Sequence, residues 1–331
     1  MIRLIGITLL FCSAAVSLNA QQLPQYSQYQ RNTVMVNPGA VGAYDFTDIT
    51  LGGRYQWSGF NYSPRTAYAY VSAKIGGNKN RYNPSLRTSQ GPVRNPQVGV
   101  GKLKHGVGGQ VYLDEYGAFR KISFAGIYAI HLPVSRTSNI SMGVKAGISN
   151  NQFLQERATV LTQMTGYNGV ATNDDTYNSF IANQSSKNNM DLGIGMYYYS
   201  SNYFVGISAD QLTRDMVTFG SGTANFDEQM HFQATAGYKF KLTNEWTIQP
   251  SVLFKYMSPA PLSFDGTIQM EYKEWMWFGL SYRNQDAVIA MLGMNINNVF
   301  KFGYSYDLTT SGLNSVSNGT HELVLGIMLG R

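Results

Sequence analysis

Apolar and polar residues alternate in many short runs along this chain. In the run from Asn189 to Tyr199, one side carries Met190, Leu192, Ile194, Met196 and Tyr198, and the other carries Asp191, Gly193, Gly195, Tyr197 and Tyr199. Successive side chains of a β-strand point to opposite faces, so this run predicts a strand with one apolar and one mixed face. The stretches 143–147 and 246–255 repeat the pattern. Repeated strands of about ten residues, rich in aromatics, indicate a transmembrane β-barrel.

The pattern predicts an all-β fold, an antiparallel transmembrane barrel of fourteen strands, an even number as in single-chain bacterial barrels. The predicted strands are 47–57, 65–75, 104–113, 120–132, 138–148, 189–199, 202–210, 230–241, 245–256, 262–272, 275–283, 287–295, 299–308 and 319–330. Residues 21–46 have no clean period, and we expect an ordered N-terminal periplasmic lead-in that plugs or braces the barrel. A free disordered tail is the alternative.

Connection lengths predict the orientation of the barrel. Tight connections, at 133–137, 200–201, 242–244, 273–274 and 296–298, follow even-numbered strands, whereas the long connections 149–188, 211–229 and 309–318 follow odd-numbered ones. In bacterial barrels short turns face the periplasm and long loops face outward. The sequence therefore predicts a bacterial outer-membrane location, with outer-membrane lipid around the barrel and both termini in the periplasm.

Composition supports the barrel and excludes a helical membrane protein. Charged residues make up 13% of the 331 residues and the mean hydropathy is -0.20, yet no run of about 20 apolar residues follows the first twenty residues. A barrel produces this combination because only alternate residues face lipid.

The first twenty residues predict a secretory signal peptide. Arg3 precedes an apolar core from Leu4 to Val16, and Asn19-Ala20 offers a small-residue cleavage site. A single membrane anchor is the alternative, but the apolar run is short for one. The predicted divisions are therefore 1–20 signal peptide, 21–46 lead-in or plug, and 47–331 barrel. Cys12 is the only cysteine, so the processed chain would have no disulfide.

The connection 76–103 is long although it falls on the predicted periplasmic side. It lies in a region, from Ile49 to Leu113, that has no Asp or Glu and nine basic residues. The segment 74–104 could dock an acidic partner or lipid headgroups. It could equally be a solvated loop, or a strand pair that the pattern does not reveal. Few aromatics lie there to stack on bases, so no nucleic-acid partner is expected.

Several motifs in order carry a family resemblance. They are Gln28-Tyr29 with Asn32, then Asn37-Pro38-Gly39-Ala40-Val41-Gly42, then Arg54-Tyr55-Gln56-Trp57-Ser58-Gly59-Phe60 with Pro64 and Thr66, then Tyr128 to Pro133, Pro250-Ser251 with Lys255-Tyr256, Pro261-Leu262-Ser263, Tyr304 to Leu308, and His321-Glu322-Leu323. With these motifs the chain resembles the PorP/SprF family, outer-membrane proteins of the Bacteroidetes type IX secretion and gliding motility systems. Gly39 stands where the family usually has Ala.

The resemblance implies a non-enzymatic barrel that docks or anchors a secreted surface protein. The cargo would be held through its C-terminal domain, and a cell-surface gliding adhesin is one example. Periplasmic components of the secretion machinery are further implied partners. Family membership leaves open which cargo is bound, and whether the chain is a core secretion component or a paralogue dedicated to one adhesin.

Motifs for catalysis or metal binding are missing from the sequence. The four histidines lack the spacing of a zinc site, and no serine lies in a nucleophile elbow. His321 and Glu322 are neighbours in a predicted strand, so their side chains point to opposite faces. We therefore expect no catalytic residue, metal or cofactor.

Two sets of residues are candidates for function. Aromatics in the long loops could anchor a partner or simply be exposed to solvent, namely Tyr167, Tyr177, Phe180 and Phe219. The motif residues could brace the barrel or contact the partner directly, namely Asn37, Pro38, Arg54, Gln56, Trp57, Gly59, Phe60, Asp307 and Glu322. In the bracing alternative, Asp307 and Glu322 pair inside the lumen with Arg54 or Lys255, and Trp57 joins an aromatic girdle.

A porin or small-solute transporter is the rival prediction. Fourteen strands can enclose a lumen wider than that of an eight-stranded barrel. The many Tyr, Met and Gln residues at predicted lumenal positions favour filling over flow.

Overall fold

The computed structural model describes residues 24–59, 61–75, 102–158, 186–213, 216–219 and 224–330. Its β-strands are β1 (Thr47–Tyr55), β2 (Arg65–Ile75), β3 (Lys104–Tyr116), β4 (Phe119–Pro133), β5 (Ser138–Phe153), β6 (Ser186–Ser200), β7 (Tyr203–Asp210), β8 (Met216–Phe219), β9 (Ala224–Asp227), β10 (His231–Tyr238), β11 (Phe240–Lys241), β12 (Trp246–Met257), β13 (Ser263–Tyr272), β14 (Met276–Arg283), β15 (Ala287–Ile296), β16 (Phe300–Thr309) and β17 (Thr320–Leu329). One short helix, α1 (Thr33–Val36), and 3-10 turns at Pro38–Ala40, Gln155–Arg157 and Gly312–Ser315 complete the described elements. No helix among the described residues is long and apolar enough to cross a membrane.

The sheet closes on itself as an antiparallel barrel. β1 pairs with β2 on one side and with β17 on the other, with Thr47 opposite Leu329 and Tyr55 opposite His321. β10 pairs with both β7 and β12, which completes the circuit. β10 and β11 occupy one position, separated by Lys239, so the barrel has fourteen strands. The predicted fold class is confirmed.

One strand pair was not predicted. β8 and β9 form a two-stranded hairpin apart from the barrel sheet, within the connection 211–229, for which the sequence pattern predicts a loop. Both strands have only four residues, so neither is long enough to show a clear alternation.

The two faces of the wall differ as a membrane requires. On β14 the outward side chain of Leu280 is 66% exposed, whereas its neighbour Ser281, which faces the lumen, is 4% exposed. The same alternation runs along β4, β13 and β15. Apolar side chains therefore face lipid, whereas the interior holds polar and charged side chains together with buried apolar ones such as Ile289 and Met291.

The two ends of the barrel differ in the connections that they carry. The turn end carries the connections 134–137, 201–202, 242–245, 273–275 and 297–299 together with Thr47 and Leu329, and the loop end carries the opposite connections. Trp246 packs on Tyr272 near the turn end at 4.8 Å between ring centroids, and Phe264 packs on Tyr282 near the loop end at 6.4 Å. Phe264 and Tyr272 are eight residues apart on β13, about 20 Å of height in a tilted strand, close to the apolar band of such barrels.

Candidate functional site: a lumen filled by residues 24–46

Residues 24–46, called the plug below, lie inside the barrel. Pro24 and Gln25 lie beside Lys255 and Met257 of β12 in the loop-end half, and Phe46 leads into β1 at the turn end. Apart from Pro24, Gln25, Arg31 and Asp45, every residue of the plug is buried. The plug thus runs down the lumen from the loop-end half to the turn end.

The plug is held by opposite sides of the wall. The Tyr29 hydroxyl lies 2.9 Å from Ser251 Oγ on β12, and Asn32 Nδ2 donates to the Tyr68 hydroxyl on β2 at 2.6 Å. On a third side, Ser208 Oγ of β7 donates to the backbone oxygen of Val36 at 2.7 Å. Contacts in several directions fix the plug as part of the barrel interior.

Asn37 uses both ends of its amide, one within the plug and one on the wall. Its Oδ1 accepts from the Gly39 backbone N–H at 2.8 Å, which caps the 3-10 turn Pro38–Ala40. Its Nδ2 donates to the backbone oxygens of Met196 on β6 and Ile207 on β7, at 2.9 and 3.1 Å. Pro38 follows at the first position of the turn, where no N–H donor is needed.

Wall glycines make room for this turn. A Cβ added at Gly143 would lie 2.6 Å from the Gly39 nitrogen, and one added at Gly206 would lie 2.7 Å from Asn37 Nδ2. Real Cβ atoms do not approach backbone that closely, so the plug requires glycine at position 143, whereas a Cβ at position 206 would require the Asn37 and Tyr197 side chains to shift. This close approach gives the glycine-rich run from Gly143 a physical reason.

From the 3-10 turn onward, wall side chains satisfy the backbone of the plug. Ser141 Oγ donates to the oxygen of Gly39 at 2.6 Å, and His131 Nε2 lies 2.7 Å from the oxygen of Val41. The Gly42 nitrogen donates to Ser72 Oγ at 2.9 Å. A buried backbone group without a partner is costly, and these bonds remove that cost.

The loop-end half of the lumen contains a buried ionic cluster, called the Arg54 cluster. Arg54 Nη2 lies 2.9 Å from Asp307 and its Nη1 lies 3.3 Å from Glu322. Arg283 lies 3.1 Å from the same Asp307. Ser27 of the plug donates its hydroxyl to Asp307 at 2.8 Å and its backbone N–H to Glu322 at 2.6 Å. The cluster therefore binds the plug to β1, β14, β16 and β17 at once.

These contacts agree with the lumenal pairing expected for Arg54. Lys255, the other cation considered, pairs instead with Asp265 at 3.1 Å, and Asp265 also lies 3.3 Å from Arg283. A charged side chain on the lipid face costs about 2–4 kcal/mol at the midplane, so the ions gather inside.

Arg31 anchors the lower part of the plug. It lies 3.1 Å from Glu271 of β13, and its guanidinium lies 4.8 Å from the centre of the Trp277 ring on β14. Sequence reasoning missed Arg31, Ser27 and Arg283. Arg283 had a usable signal, because it follows Leu280 and Tyr282 at the alternate, lumen-facing position of β14.

The motif after Arg54 lies in the loop-end connection between β1 and β2. The Gln56 nitrogen donates to Pro64, and the Trp57 nitrogen donates to Thr320 Oγ1 at 3.0 Å. Gly59 has a φ of 112°, a conformation that favours glycine. These bonds join the first hairpin to the start of β17, where the barrel closes. The girdle position of Trp57 stays a prediction.

The predicted partner anchors lie outside the side chains that the structure describes. Tyr167, Tyr177 and Phe180 fall outside the described residues, as does Phe60 of the motif. Phe219 is in β8, of which the structure describes only the backbone. Within the described ranges, no three His, Cys, Asp or Glu side chains are grouped to hold a metal.

Residues 18–327 match the model of the type IX secretion system membrane protein PorP/SprF family. These matched residues are nearly the whole chain, so the chain belongs to this outer-membrane family. No curated protein matches it.

Solved structures with a similar fold are outer-membrane barrels. The Pseudomonas putida toluene transporter TodX is 10% identical, with 88% of this chain and 92% of that chain covered and a TM-score of 0.45. A Pseudomonas aeruginosa FadL homologue is 8% identical, with 88% and 91% covered and a TM-score of 0.47. The Acinetobacter baumannii protein Omp33 is 10% identical, with 86% and 98% covered and a TM-score of 0.42.

Proposed function

We propose that this chain is a non-enzymatic docking or anchoring subunit of the type IX secretion system. It holds a secreted surface protein, such as a gliding adhesin, through the C-terminal domain of that protein. The observation that carries the proposal is the filled lumen. Buried residues of the plug, hydrogen-bonded to several sides of the wall, occupy the path that a solute would take. A filled barrel is suited to binding at its ends rather than to passage through its centre.

The cargo binds at the loop end in this proposal. The long connections emerge there, and Tyr167, Tyr177, Phe180 and Phe219 are the aromatic anchors expected in them. The loop end faces the cell exterior, and the turn end, with Thr47 and Leu329, faces the periplasm.

Periplasmic components of the machinery meet the turn end. Lys74 and Lys104 lie near that end of β2 and β3, and Lys102 and Arg136 are exposed beside it. Together with the basic residues of the connection 76–103, they support contact with acidic groups of a partner or with lipid headgroups.

Affinity purification tests the docking role. The full chain, tagged and extracted from outer membranes of cells that make type IX cargo, is expected to bring down a large secreted surface protein in near-equal amount. Deletion of residues 160–184 should abolish that recovery, whereas shortening the opposite connection 242–244 should not. Purification of the barrel without a bound surface protein from such cells would contradict stable anchoring.

Planar-bilayer conductance separates docking from the porin alternative. The intact barrel is expected to give no steady current. A stable open channel from the unmodified chain would favour solute transport and would overturn the argument from the filled lumen.

A further inference from the structure

A groove on the lipid-facing side of the wall crosses the strands from β4 to β12. We propose that this groove binds one anionic phospholipid, with an acyl chain along the groove and the phosphate beside His105 and Tyr128 at the turn end. Such a site requires only that the barrel lies in a membrane. It is independent of cargo docking and of which end of the barrel faces the cell exterior.

The groove follows the pairing register of the sheet. One row of outward side chains lies opposite one another on six neighbouring strands of the wall, namely Ile130, Met142, Met196, Ile207, Ala234 and Phe254. A second row, two residues closer to the loop end on each strand, runs from Tyr128 to Tyr256. Both rows line a groove of about 840 Å³. Six strands at a spacing of about 4.8 Å make it roughly 24 Å long.

The groove crosses the membrane at an angle, because the strands of a barrel are tilted. Ile130 lies near Pro133, the turn-end limit of β4. Phe254, at the other end of the same row, lies near Met257, the loop-end limit of β12. The groove therefore opens at the membrane boundary of the turn end and continues into the apolar band.

Small residues give the groove its depth. Ala209 and Ala234 occupy outward positions in the middle of the two rows, and Ala209 is only 8% exposed. Larger outward side chains, such as Met142 and Phe254, stand on either side of them. On the lumen side of the same strands, Gly143 leaves room for the plug. The wall is therefore thin in this region, and its apolar outer surface is recessed.

Polar groups mark the turn-end limit of the groove. His105 Nδ1 lies 2.6 Å from the Tyr128 hydroxyl, and the pair is exposed on the outer face. Whichever atom donates within the pair, one donor remains, either the imidazole Nε2–H or the phenol O–H. Lys102 and Arg136 are exposed at the same end, and residues 49–113 contain no Asp or Glu. A phosphate finds hydrogen-bond donors and positive charge there.

The width of the groove favours a lipid over a protein segment. The two rows are two residues apart, which is about 7 Å along the strands. A protein segment that crosses lipid outside a barrel must be a helix, because its backbone groups need partners, and a helix is about 10–12 Å across. An acyl chain has no such groups and is narrower. The groove thus fits a chain whose charged head stays at the membrane boundary.

Native mass spectrometry of the folded full chain in detergent tests the site. Delipidated protein is titrated with dioleoyl phosphatidylglycerol, or with dioleoylglycerol, which has the same chains without the phosphate. Ala234→Trp fills the groove. Ala290→Trp is the matched control, because Ala290 is exposed at an outward position of β15, outside the groove. His105→Ala removes a group placed beside the phosphate.

We expect the unmodified chain to retain one phosphatidylglycerol, at least tenfold more tightly than dioleoylglycerol. Ala234→Trp should weaken that retention at least tenfold and Ala290→Trp should leave it unchanged. His105→Ala should reduce the preference for phosphatidylglycerol over dioleoylglycerol at least threefold. Equal losses in the two tryptophan variants, equal retention of the two lipids, or an unchanged preference in His105→Ala would overturn the proposal.

Photocross-linking of the unmodified chain does not depend on any variant folding. Phosphatidylglycerol with a diazirine in its acyl chain should label peptides of β6, β7, β10 and β12 at least tenfold more than peptides of β14, β15 and β16. Even labelling around the wall would overturn the proposal. A second copy of the chain, or another polypeptide, that co-purifies from outer membranes and is released by Ala234→Trp but not by Ala290→Trp would assign the groove to a protein and overturn it as well.

Discussion

Arg54 Nη2 lies 2.9 Å from Asp307 Oδ2, and both side chains are only 2% exposed. The pair connects the first barrel strand with the strand before the last. The Ser27 hydroxyl donates to the same carboxylate. Closure of the barrel and placement of the plug thus depend on the same buried charges.

Arg54→Ala should destabilise the barrel by about 3 kcal/mol. The substitution removes one partner of a buried ionic group and leaves Asp307 and Glu322 with less compensation. Urea unfolding of the barrel in detergent, followed by tryptophan fluorescence, measures the change.

Lys273→Ala is the matched control for that experiment. Lys273 pairs with Glu245 at 2.9 Å, but the two side chains are 52% and 49% exposed. Exposed pairs contribute roughly 0–1 kcal/mol, so the unfolding midpoint should barely move. Equal effects of the two substitutions would contradict the importance given to the Arg54 cluster.

Gly143→Ala should loosen the plug. The added Cβ would crowd the backbone of Pro38 and Gly39, and overpacking of this kind costs about 1–3 kcal/mol. Limited proteolysis should cut within residues 24–46 faster than in the unmodified chain. Gly126→Ala is the control, because its Cβ would have only Ala146 O within 4 Å, at 3.9 Å. An unchanged cleavage rate in the Gly143 variant would contradict close packing of the plug on this part of the wall.

Asn37→Ala should destabilise the packing of the plug against the wall by about 1–3 kcal/mol. It removes a donor to the backbone oxygens of Met196 and Ile207 and takes from the buried Gly39 N–H the acceptor that caps the 3-10 turn. Hydrogen exchange of residues 33–42 should rise. Asn150→Ala removes an amide whose hydrogen bonds to Ser186 and Asn188 are exposed, and it should leave exchange of the plug unchanged.

Removal of residues 25–44 should open the barrel. The deletion empties the lumen of the segment that fills it, so a steady current is expected in planar bilayers where the intact chain gives none. Heat-modifiability on gels shows whether the shortened barrel is folded. A folded, shortened barrel that stays silent would mean that other residues close the lumen.

Alternation along the chain was enough to predict the barrel. Each strand needs only a local pattern, and every second residue must be apolar because it contacts lipid. The Arg54 partners could be predicted for a related reason, since charges in strands must face inward. The hairpin of β8 and β9 was not predicted, because strands of four residues are too short to show a clear alternation.

The sequence by itself determined the class of fold, the number of barrel strands and the lumenal side of Arg54, Asp307 and Glu322. Only the tertiary structure decided that residues 24–46 lie within the lumen, that Asn37 reaches two strands, and that Ser27 and Arg283 join Arg54. The physical reason is the separation in sequence of the residues that make contact. Contact with lipid imposes alternation on each strand separately. The plug instead contacts wall residues that are far apart in sequence, and closure of the barrel brings these residues together.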